Sequence, residues 1–291
     1  MATSARSVST DGSAAPVLTM PVEVDFEDAL DRFSALGRRF TVLVEAIKQP
    51  HRLTHELDWT LAETAVHVWQ GLTYYASCLA GEVSFEADRA PGESYPSYFA
   101  RENQRQLDAE PERDPAAISR RIEGAVDDLV AVARSVGPGA IATYPVGYSE
   151  ESTAAVCTLI LEMIVHGYDI ARTIGARWRV ERETSVLAVY STAAALSLAL
   201  DEKKAAHTKV HMKIRPRGGR PFSIRIERGR VWSEAASDDK PDVVVSADPL
   251  AYLLVGCGRS GLASQIVRGR ILAWGRRPWV ALRAPSMFID P

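Results

Sequence analysis

The chain has 291 residues, 34 of them basic and 37 acidic, for a formal net charge of -3 at pH 7; that length suits one large domain or two. A near balance of charge argues against a polyanion partner, since nucleic-acid binders concentrate a basic excess on one face. No continuous apolar run approaches the roughly 20 residues that cross a bilayer, so neither nucleic acid nor membrane is an expected partner.

Residues 1–22 are rich in Ser, Ala and Thr and lack a continuous apolar core, which predicts a disordered tail and not a secretory leader. Three scattered cysteines, Cys78, Cys157 and Cys257, form no CxxC pair. An odd, dispersed set fits a reducing, cytoplasmic setting better than a disulfide framework.

From Asp25, the residues Phe26, Leu30, Phe33, Gly37, Phe40, Val44 and Ile47 recur at three- and four-residue steps, the period of an amphipathic helix, until Pro50 stops it. His51 and His55 follow in a loop with no apolar face and are expected to be solvated. Thr60 and Glu63 have the spacing of a capping box at the start of a second helix that runs to Gly81. On it Thr64, His67, Gly71 and Tyr74 share a stripe, and a glycine in mid-helix implies that something approaches the backbone at Gly71. Residues 81–115 are polar and punctuated by Pro and Gly, a crossover with a short helix near Ser97–Leu107 that could cover a pocket. Asp114-Pro115 opens a third amphipathic helix, ended by Gly137-Pro138-Gly139.

The fourth helix, about Ser152 to Ile174, is apolar in nearly every direction, the pattern of a helix buried within a bundle. Glu162 and His166, four residues apart, project from one face, and Asp169 continues that stripe. A buried carboxylate and imidazole need partners. They could hydrogen-bond each other in a satisfied core, or form half of a metal site, to which His67 would add the third ligand of a set typical of catalytic zinc. Cys157 falls off the stripe and is read as a core residue. Four helices with one long connection fit an antiparallel bundle, whose interior is where facing helices assemble metal sites.

A fifth, Ala/Leu-rich helix spans about Arg182 to Leu200. Beyond Ala206 the period alternates: Val210/Met212/Ile214, Phe222/Ile224/Ile226, Val231–Ala235 and Val243–Val245 read as strands of an antiparallel sheet. Asp248-Pro249 opens a short helix, Arg270–Trp274 a last strand, and Pro278–Arg283 a terminal helix. The domains are therefore expected at 1–22 (tail), 23–203 (bundle) and 204–291 (α+β), with the boundary between Asp201 and Lys209. Gly256-Cys257-Gly258-Arg259-Ser260-Gly261 spells GxGxxG, but a helix precedes it and no βαβ unit surrounds it, so no nucleotide role is assigned. His207 and His211 are expected to face solvent, His211 on the polar face with Lys209 and Lys213.

With Trp59-Thr60 followed by His67, and later Glu162-x-x-x-His166-Gly167-Tyr168-Asp169-Ile170-Ala171, the chain resembles the mycothiol-dependent maleylpyruvate isomerase family, within the wider DinB-like class. The resemblance implies a DinB-like four-helix bundle followed by a small sterol-carrier-like α+β domain. It also implies that His67, Glu162 and His166 hold a divalent metal, zinc first among zinc, nickel and iron, with Asp169 supporting His166. Gly71 and Tyr74 would border the cofactor. Gly258-Arg259 after Leu253-Leu254 matches a family Gly-Arg, which makes Arg259 the candidate for a substrate carboxylate, with Arg268 and Arg276 as competitors. The expected partners are mycothiol, as a low-molecular-weight thiol, and a small electrophile, with the chain a monomer or homodimer. The implied activity is isomerisation or S-transfer; the alternatives are a non-enzymatic ligand-binding protein and a hydrolase in which Asp169 or Tyr74 serves as base.

Overall fold

In a computed structural model the chain is described for residues 16–83 and 87–289. Residues 1–15 of the expected tail lie outside that description. Helix α1 (Phe26–Glu45) begins where the Asp25 carboxylate accepts the Asp28 amide at 2.8 Å, the role of an N-cap side chain. Helices α2 (Leu61–Ala80), α4 (Pro115–Val136) and α5 (Ser152–Ile174) complete the bundle. In it α1 packs on α4 and α5, and α2 packs on the same two. Gly37 brings α1 against α4 so closely that a Cβ there would stand 2.7 Å from a Val126 methyl. Helix α3 (Tyr95–Ala109) lies against α2 from outside.

Helix α5 is the axis of the core. Ile160, Met163 and Ile164 are each 0 % exposed, as a helix apolar on all sides requires. Its 23 residues reach the length and hydropathy of a membrane span, although 78 % of the relevant window is buried inside the protein. Helix α6 (Arg182–Ala199) packs on α5 with one side. Its other side meets β6 (Arg230–Ala235) and α8 (Pro249–Gly256) of the C-terminal unit.

Three features depart from the sequence reading. First, Val17–Leu18 is a strand, β1, paired in parallel with β3 (Tyr148–Glu151), which forms a hairpin with β2 (Ile141–Tyr144). Leu18 and Val22 are buried, so the end of the stretch assigned as tail, 16–22, is packed structure. Its two-residue pairing is too short to leave a period in the sequence. Second, the C-terminal sheet, ordered β6-β5-β4-β7-β8, is mixed: β4 (Lys209–Pro216) pairs in parallel with β7 (Val243–Ala247), while β5 (Phe222–Glu227) and β8 (Ile271–Gly275) are antiparallel to their neighbours. Alternation locates strands but does not give their direction. Third, His211 is buried, with Nε2 3.0 Å from the Ser223 hydroxyl. It stands on a central strand beneath the pairing of Arg225 with Glu234 and Asp239, which covers a sheet face the sequence marks as polar. His207 is exposed.

Candidate metal centre

Helix α2 starts with the complete capping box: Thr60 Oγ1 accepts the Glu63 amide, and the Glu63 carboxylate accepts the Thr60 amide at 2.8 Å. That start sets the rotation of α2, and seven residues on, His67 faces α5. There Glu162 Oε2 lies 3.6 Å from His67 Nε2 and 3.3 Å from His166 Nε2. One donor atom from each of the three falls within 4.8 Å of the others.

These separations test whether a cation fits. Bonds of about 2.1 Å at a tetrahedral angle place neighbouring donors about 3.4 Å apart, whereas direct charge-assisted hydrogen bonds are nearer 2.7–2.9 Å. The two separations from Glu162 to the imidazoles are those of donors around a common centre. Access is also present, because the Glu162 side chain is 37 % exposed and that of His67 16 %. Burial would raise the Glu162 carboxyl, but the two imidazoles hold it well below the usual carboxylate range. Burial depresses His67. For His166 burial acts the same way, yet the hydrogen bonds and charges of Asp169 and Glu162 outweigh it and raise the group to about 9.

Around the triad, the Trp59 ring stands 4.9 Å from that of His67 and 6.4 Å from that of His166. Its indole N–H donates to Gln104 of α3 at 3.1 Å. Asp169, 0 % exposed, places Oδ2 3.4 Å from His166 Nδ1. Its carboxylate also takes the fork of Arg259, Nε to Oδ1 and Nη2 to Oδ2, both at 3.1 Å. Arg259 thus turns to a buried carboxylate, beside the candidate centre that its expected contact with a substrate carboxylate would require. An uncompensated charge inside the protein is costlier than an exposed one. Of the competitors, Arg268 is exposed and Arg276 pairs with Asp242 at 2.8 Å.

Other expectations fare differently. Nothing in the described chain comes within 4 Å of a Cβ built on Gly71, so no protein group makes the close approach that its sequence position suggests. Tyr74 borders a groove of about 450 Å³ between α2 and α3 with Trp69 and Gln106. Burial, with Cys78 beside it, raises its hydroxyl far above the usual range, and Asp169 is committed to Arg259, so neither suits a general base. Cys157 is buried in the core, where burial pushes its thiol up. His51 is exposed and His55 half-buried, 3.1 Å from Glu56. The Gly256–Gly261 stretch ends α8 and leads into α9 (Leu262–Val267).

The sequence reading does not reach Glu150. On β3 and 2 % exposed, it accepts from Thr158, one turn before Glu162 on α5, at 3.5 Å. Burial raises it to about 7.

Fold and centre together define a helical-bundle protein with a partly buried His/Glu/His cluster and an appended mixed α/β unit. Residues 33–171, most of the helical part of the chain, match the family model described as the mycothiol maleylpyruvate isomerase N-terminal domain. Among solved structures, a crystal structure of a mutant of the mycothiol-dependent maleylpyruvate isomerase matches with a TM-score of 0.51 at 14% identity, covering 86% of this chain and 93% of that chain. The same isomerase without the mutation gives 0.48 at 14% identity, covering 81% and 90%. The sec-alkylsulfatase Pisa1 from Pseudomonas sp. gives 0.33 at 15% identity, covering 79% and 43%. The first likeness speaks to the fold alone, and the other two are too distant to carry an argument. No curated protein matches the sequence.

Proposed function

We propose that the chain is a metal-dependent enzyme that uses mycothiol to isomerise, or to attach sulfur to, a small electrophile. The observation that carries the reading is the triad of His67, Glu162 and His166, whose donors converge at coordination spacing while Glu162 remains open to solvent. Two imidazoles and one carboxylate would hold zinc and leave a position for a fourth ligand. When bound, such a cation lowers the pKa of a coordinated thiol to near neutrality. The chain's own contribution is placement: α2 and α5 fix the two imidazoles, Asp169 holds the far nitrogen of His166, and the Trp59 ring shields the His67 side. The match of residues 33–171 to the mycothiol maleylpyruvate isomerase N-terminal domain supports mycothiol as the thiol. Its reversible addition to a conjugated double bond allows rotation about that bond, and a product that keeps the sulfur is an S-conjugate. In this reading residues 23–203 are the catalytic bundle and 204–291 the accessory unit.

The test is metal analysis of the purified protein with turnover of maleylpyruvate and other conjugated acids, in the presence and absence of mycothiol. The expected result is about one zinc per chain and turnover only with mycothiol, both lost in His67→Ala. Equal rates with and without the thiol would overturn the reading.

A further inference from the structure

The Gly258-Arg259 pair follows α8 in a turn that depends on glycine. Gly258 has φ +72, and the amides of Gly258 and Arg259 return to the carbonyls of Val255 and Leu254, closing the helix as a left-handed C-terminal turn does. Leu253 and Leu254 are buried and α8 packs on α6, so the backbone that carries Arg259 is fixed. Its side chain is 13% exposed and crosses to the bundle, where it forks onto Asp169, while Nη1 donates to the Cys257 carbonyl at 2.6 Å. Among the described residues no other side chain donates to the Asp169 carboxylate, and His166 Nδ1 stands 3.4 Å from Oδ2 at ion-pair distance. A chain of contacts thus runs from the C-terminal unit through Arg259 and Asp169 to one ligand of the triad.

We propose that Arg259 is a positioning residue that clamps Asp169 and thereby sets how tightly the bundle holds its divalent cation, making metal affinity a joint property of both parts of the chain. The proposal rests on the metal-site reading above. Removing Arg259 has two opposed effects. A bare Asp169 carboxylate would attract a cation more strongly, but at 0 % exposure it loses the fork that holds it in place and turns away from His166 toward other partners or solvent. That movement removes the group that orients the His166 ring. The second effect prevails because His166 touches the metal and Asp169 does not.

The experiment is a chelator-competition titration of the full chain with Zn²⁺ at neutral pH, comparing wild type with Arg259→Gln, Arg259→Lys, Asp169→Asn and the double variant Arg259→Gln/Asp169→Asn. Arg268→Ala, which alters an exposed arginine of the same segment, is the control. Loss of such a support lowers metal affinity about 10–100-fold. That loss is expected for Arg259→Gln and Asp169→Asn, a smaller one for Arg259→Lys, which keeps the charge without the fork, and none for Arg268→Ala. Because the two residues act in series, the double variant should be no weaker than the weaker single one. Folded Arg259→Gln with wild-type affinity, or additive losses in the double variant, would overturn the proposal; if Arg259→Gln does not fold, Arg259→Lys and Asp169→Asn decide in the same way. A wild-type chain that binds no Zn²⁺ overturns the metal reading itself, an outcome distinct from failure of the clamp alone.

Discussion

His166 has a carboxylate facing each ring nitrogen, Glu162 at Nε2 and Asp169 at Nδ1. Raised to about 9 from an ordinary 6.5, it is protonated at neutral pH in the metal-free chain, and an incoming cation must displace that proton. His67, shifted the other way, releases none. Apparent zinc affinity should therefore climb about tenfold per pH unit from pH 7 toward 9 and then level off, which a chelator titration across that range would show. The metal-free fold has the opposite dependence: stability from His166 is fully present below pH 6.5 and lost as pH rises to about 9. Chemical denaturation of the apoprotein at several pH values would check the sign. The Glu162/His166 pair is legible in sequence because helical period alone puts it on one face. The clamp is not, because Arg259 and Asp169 are 90 residues apart and only the folded chain brings them together.

At the scale of single elements, α5 depends on Gly167. A Cβ there would meet the Trp178 ring at 2.4 Å, and that indole donates to the Ile164 carbonyl at 3.1 Å and packs edge-on to Phe40. Gly167→Ala must displace the ring, costing on the order of 1–3 kcal/mol and disturbing the turn that carries His166; thermal unfolding and zinc titration would register both. The start of α2 gives a milder case. Thr60→Ala removes one half of the capping box and should cost about 1 kcal/mol, a fall in Tm of about 2–4 °C. This cap could be read from Thr60 and Glu63, because it is local chemistry. The β2–β3 hairpin and the burial of His211 could not, because each depends on what lies over a short, nominally polar segment.

Across the whole molecule, α6 serves the bundle with one side and the C-terminal unit with the other, and the Arg259 clamp adds a second tie. A ligand that binds only the folded state raises stability by about 2.7 kcal/mol at a hundred times its Kd. If the two parts unfold as one, zinc at the bundle should also slow amide exchange in the central strands β4 and β7. Protection confined to α2 and α5 would show that they unfold separately. The position of Trp59 has a practical corollary. With an indole within 5 Å of one imidazole and 6.4 Å of the other, the centre comes with its own fluorophore. Loading it should change the emission of wild type but not of Trp59→Phe, so occupancy could be followed in real time without a label.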